Sequence, residues 1–207
     1  LVGMLLSVIN GGMDAVNGAE GLGKVAAGLC TLILVYAAFP IAQVVRSAGD
    51  SLAASKSAMV DFVFKDVVVE GIKLFGHIAA LTALFGAICS LVGWVLGSPG
   101  MMAGADLNQL FAYLYGLPAD AMAAFMGMLG LEFVGGVIDG FLNWDVTGSE
   151  ASGYTVDGAL AVGWEFVQVV IILAKLYVVL AFYHFFWGVL NTFFNWIKSP
   201  YLPFKSS

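Results

Sequence analysis

The chain has 207 residues, of which 61% are hydrophobic and only 11% charged, with 26 glycines and a formal net charge of −6. Soluble domains average roughly 45–50% apolar and about 25% charged residues. The composition therefore excludes an ordinary soluble domain and points to an all-α integral membrane protein, in which glycine is also commoner. Eight scattered Lys and Arg residues form no basic stripe for nucleic acid. Two cysteines without a CxxC or Cys/His cluster offer no thiolate metal site.

The chain opens with "LVGMLLSVI", nine apolar residues where a span needs about 20. A basic n-region is lacking, so a fragment of a span or a docked stub is expected rather than a signal peptide. The first clear span is expected over about residues 25–45, flanked by Lys24 and Arg46. Pro40 lies inside it and should free the Tyr36 carbonyl and kink the inner half.

Residues 46–73 are amphipathic and mixed in charge, a cytosolic connector expected to be partly helical, since Val60, Phe64, Val67 and Val68 fall at helical spacing. The second span is expected over about 74–96. Residues 98–157 form an outer segment, and within it 119–141 is long enough to span but carries Glu132, with Asp120 and Asp139 near its ends. The last apolar run, residues 159–197, contains neither Pro nor a turn dipeptide, which predicts one long helix whose spanning part is about 160–187. Trp164 and Trp187 are 23 residues apart, about 34 Å along a helix, so both can sit at membrane interfaces. The helix end beyond Trp187 should then lie along or beneath the inner leaflet.

Positive charge orients this chain. Arg46, Lys56, Lys65 and Lys73 lie in the connector and Lys198 and Lys205 in the tail, while no Lys or Arg lies between Gly97 and Glu165. The positive-inside rule puts 46–73 and the C-terminus in the cytoplasm and 98–157 outside, in an expected bacterial inner (plasma) membrane. Parity then requires 119–141 to enter and leave on one face or to lie flat. The expected fold is three transmembrane helices plus a re-entrant or interfacial helix, with four transmembrane helices as the alternative.

Gly76, Ala79, Ala83, Gly86, Ser90, Gly93 and Gly97 step by three and four along the second span. That spacing forms one seam suited to left-handed helix crossing. In lipid, burying Leu against Leu gains little, whereas small residues let two backbones approach. The seam fits another helix of this chain or a neighbouring subunit. "GVIDG", Gly136 to Gly140, is a shorter motif of the same type.

Charge inside a span demands company. Lys175 would cost about 2.5–3.5 kcal/mol unaccompanied near the middle of the last span. It shares a polar stripe with Glu165 and Gln168, and Glu132 is its natural ion-pair partner if 119–141 dips into the membrane. Such groups mark either a proton or ion path or a buried register pin. His77 forms a second polar set with Glu70 and Lys73 at the inner end of span two.

Catalytic signatures are lacking: there is no HExxH, no GxSxG, no Walker-type loop and no GxGxxG opening a helix. His77 and His184 fall at similar depth, which allows a bis-histidine haem only in principle, so no cofactor is expected. Cys30 and Cys89 are also expected at similar depth, with reachable thiols if their helices touch. The expected role is a non-catalytic membrane subunit of a larger complex, its partners being the lipid bilayer and other membrane protein subunits. The alternative is an oligomeric ion or proton channel or transporter subunit using Lys175, Glu165 and Glu132.

Overall fold

A computed structural model of the chain describes residues 2–98, 117–144 and 154–198. Among these residues all regular structure is helical. Helix α1 covers Val2–Gly18, α2 Leu22–Ala54, α3 Met59–Val95, α4 Leu117–Met128, α5 Glu132–Leu142 and α6 Val156–Lys198. Three of them, α2, α3 and α6, are long and apolar enough to cross a membrane. The molecule is an integral membrane protein built on that trio.

The long helices stand antiparallel, with α3 in the middle. Gly76 of α3 meets Leu176 of α6, Ala79 and Ala80 meet Ile172, and Trp94 donates its Nε1–H to the Thr155 carbonyl at 2.9 Å. On the other side of α3, Cys89 meets Cys30 of α2, and Phe85 meets Tyr36 edge-on with ring centroids 6.1 Å apart. Helix α1 flanks α2, where a Cβ on Gly12 would fall 2.2 Å from Thr31 Oγ1. The N-terminal segment is thus a full helix to Gly18, longer than the nine-residue stub its apolar run suggests.

Small side chains make these contacts close. In α2 the buried residues are Ala26, Ala27, Cys30, Ala37, Ala38, Ile41 and Ala48, and the helix runs unbroken through Pro40. In α3, Gly76, Ala79, Ala80, Ala87, Cys89, Ser90 and Gly93 are buried. Backbones that approach in this way gain dispersion contacts that lipid tails cannot replace. The expected seam is therefore split. Gly76, Ala79 and Ser90 are buried, Ala83 and Gly86 are half-buried, and Gly97 is exposed in the turn that ends the helix, at φ +63°.

The connector is more helical than its mixed charge suggests. α2 continues to Ala54, and only residues 55–58 interrupt the helical run before Met59. Ser55 donates its hydroxyl to the Asp66 carboxylate across that break. Phe62–Val67 is a π-helical stretch, a wider turn common where a helix meets a specific contact. Here the Phe64 carbonyl accepts the Tyr183 hydroxyl and the Phe64 ring stacks on Trp187 at 5.6 Å.

Residues 119–141 are not one helix, which corrects the sequence expectation. They divide between α4 and α5, 12 and 11 residues long, or about 18 and 16 Å. Neither is long enough to span alone, so a fourth spanning helix is not formed by this segment. Gly130 makes the turn at φ +73°, a conformation that favours glycine. The two helices fold back on each other so closely that a Cβ on Gly135 would lie 3.1 Å from the Ala123 carbonyl oxygen.

Candidate functional site: the buried polar face of α6

Helix α6 carries the polar groups that matter. Glu165, Gln168, Ile172 and Lys175 share one face because steps of three and four return to it, and all four are buried. That face meets α3, with the α4–α5 hairpin alongside. The hairpin docks through Ala119, Met122 and Leu142 against Val179, and through Phe125 among Phe182, Phe185 and Phe186. Its open end therefore lies level with Lys175–Val179, and its turn lies farther along α6.

Lys175, only 3% exposed, donates Nζ–H to the Leu142 carbonyl at 3.1 Å and to the Trp144 carbonyl. Those carbonyls stand at and just beyond the C-terminus of α5, where helix carbonyls lack intrahelical donors and the dipole is negative. A cation is the side chain that such an end accepts best. The Glu132–Lys175 ion pair suggested by the sequence does not form. Glu132 is exposed in the first turn of α5, ten residues, or about 15 Å, from Leu142. Glu132 and Lys175 thus work at opposite ends of one short helix.

At the other end of the stripe, Glu165 faces Ser90 of α3. The Ser90 hydroxyl lies beside the Glu165 carboxyl group without completing a hydrogen bond to it. Ser90 Oγ and Glu165 Oε1 are both buried and have no hydrogen-bonding partner among the described residues. Cys89 lies next to this pair, with Cys30 of α2 behind it.

The remaining candidates stay local. Lys73 Nζ meets Glu70 Oε1 at 2.8 Å, and His77 Nδ1–H donates to the Lys73 carbonyl at 2.6 Å. His77 is next to Gly76, which is level with Leu176, whereas the exposed His184 lies eight residues farther along α6, about 12 Å. The two histidines are not at one depth, so they cannot hold a haem between them. Among the described residues no cluster of three His, Cys, Asp or Glu could hold a metal ion. The tail residue Lys205 and, within the expected outer segment, residues 99–116 and 145–153 lie outside the described residues.

Comparison with protein families, with curated proteins and with solved structures finds no match to this chain.

Sequence reasoning missed two features here. The partner of Lys175 is a helix end rather than a side chain, which no residue type announces. The break at Gly130 does carry a signal, because Gly127 and Gly130 precede an acidic residue, Glu132, of the kind favoured in a first helical turn.

Proposed function

We propose that this chain is a non-catalytic integral membrane subunit of a larger multi-protein membrane complex, acting through helix packing and assembly. The observation that carries this reading is the far end of α6. At 43 residues the helix is about 65 Å long, roughly twice the hydrocarbon thickness of a bilayer. Beyond Trp187, which stacks on Phe64, it continues with Val189, Phe193, Phe194, Trp196 and Ile197 all exposed. Concentrated aromatic surface of this kind marks an interaction site, because aromatic anchors dominate protein interfaces.

In this reading the chain crosses an inner (plasma) bacterial membrane three times, with residues 46–73 and the C-terminus in the cytoplasm. The α4–α5 hairpin is re-entrant: two helices too short to span, joined at Gly130, leave the membrane on the face they entered. Four basic residues in 46–73 and none between Gly97 and Glu165 support that orientation. The channel alternative is weaker, because Lys175 is engaged with the end of α5 and Glu132 is remote from it.

Native mass spectrometry after mild detergent extraction tests the proposal. Stable foreign subunits should be retained, and Phe193→Ser with Trp196→Ser should release them. A closed homo-oligomer indifferent to those substitutions would overturn it.

A further inference from the structure

We infer that Glu165 and Ser90 form an intramembrane proton-binding site, in which Glu165 is carried as a neutral carboxylic acid between α3 and α6. This goes beyond the assembly role, which does not require Glu165 to exchange a proton. Three observations bear on it.

The first is burial with one carboxylate oxygen left unpartnered. Glu165 is 5% exposed and Ser90 2%, and neither Glu165 Oε1 nor Ser90 Oγ completes a hydrogen bond among the described residues. An ionised carboxylate held in an apolar setting costs far more than the neutral acid, so such a group takes up a proton instead. The second is position. Glu165 adjoins Trp164, which is 41% exposed and packs with Trp144 at a ring-centroid distance of 6.4 Å, and it lies nine residues from the start of α6. A proton therefore has only about 14 Å of helix to travel from that end.

The third is the charge around it. From α3 the facing titratable group is the Cys89 thiol, and from α2 the Cys30 thiol lies behind that. On α6, Asp157 is eight residues toward the helix start and Lys175 ten residues beyond, about 12 and 15 Å away. From the hairpin, Trp144 approaches and does not titrate. Lys175 is already held at the Leu142 and Trp144 carbonyls. No cation among the described residues stands against Glu165 to keep it ionised.

A proton also suits the donor inventory. A protonated carboxyl gains an O–H that Ser90 Oγ can accept, while the serine O–H remains able to donate to the carbonyl oxygen of the same acid. A hard metal cation would collect six or more oxygens. The carbonyls of α3 and α6 are engaged in their own helices, which leaves too few.

Infrared difference spectra of the full chain in lipid vesicles decide the matter. At neutral pH, wild type minus Glu165→Gln should show the C=O stretch of one protonated carboxylic acid and no carboxylate band. The band should disappear as the pH is raised, and Ser90→Ala should shift it without removing it. Labelling of the unsubstituted protein by an apolar carbodiimide, which reacts with protonated carboxyls, should fall on Glu165 and fade over the same pH range. Carboxylate bands at neutral pH, together with no label at Glu165, would overturn the inference. An acid band that appears only when sodium and potassium are withdrawn would do so too, and would make this a cation site.

Discussion

Cys30 and Cys89 face each other across the α2–α3 contact, and each thiol approaches the other residue's backbone carbonyl, at 3.6 and 3.8 Å. Both side chains are buried and both thiols are free. Two small residues, each placed against the partner backbone, require the helices to run close at this depth, and the Tyr36–Phe85 contact farther along makes the pair antiparallel. A membrane-permeant oxidant such as iodine should therefore join them within one chain. Electrophoresis without reductant should show a faster monomer band that Cys30→Ser eliminates. Crosslinks only between chains would contradict the α2–α3 pairing.

The small-residue seam of α3 is not uniform, and two glycines in it should respond differently. A Cβ on Gly76 would lie 2.4–2.9 Å from three side-chain carbons of Leu176, itself fully buried. Overpacking of that kind costs about 1–3 kcal/mol, so Gly76→Ala should lower thermal stability in detergent. Gly86 has nothing within 4 Å of such an atom. Gly86→Ala should be neutral or slightly stabilising, in line with the better helix propensity of alanine. Equal losses at both positions would mean that the seam docks on one continuous partner.

Lys175→Met should loosen the hairpin while leaving the three long helices in place. It removes the donor held by the Leu142 and Trp144 carbonyls, and a buried acceptor left without its donor costs about 1–3 kcal/mol. Amide hydrogen exchange across residues 132–142 should accelerate, with residues 76–93 unchanged. Glu132→Gln changes an exposed side chain and should stay within about 0.5 kcal/mol of wild type. Similar effects from the two substitutions would restore the ion pair that the distance along α5 argues against.

The long helices were legible in the residues because apolar runs longer than about 20 residues have few other physical meanings. The stripe on α6 was legible for a related reason: charge at that depth must face protein, and Glu165, Gln168 and Lys175 all do. The partners were not. Lys175 pairs with backbone carbonyls, and every residue has one, so composition cannot single out Leu142 or Trp144. The hairpin was hidden because "MGMLGLE" is apolar enough to continue a helix, and only the positive φ of Gly130 reverses it. In α2, the packing face of Ala27, Cys30, Ala37, Ile41 and Ala48 follows the same threes, fours and sevens as the α3 seam. It was obscured by the large residues between its members.

Sidedness is the last expectation. The connector turn at 55–58 and the start of α6 lie at opposite ends of the antiparallel trio, because α3 runs the full distance from Met59 to Val95, where Trp94 meets Thr155. A membrane-impermeant maleimide applied to right-side-out vesicles of a chain lacking Cys30 and Cys89 should label Asp157→Cys. It should reach Lys56→Cys only after the vesicles are opened. The proposed direction rests on the four basic residues of 46–73, each of which would otherwise have to cross to the outer face. Labelling of both cysteines from one side would require an even number of crossings between them and would overturn the three-span reading.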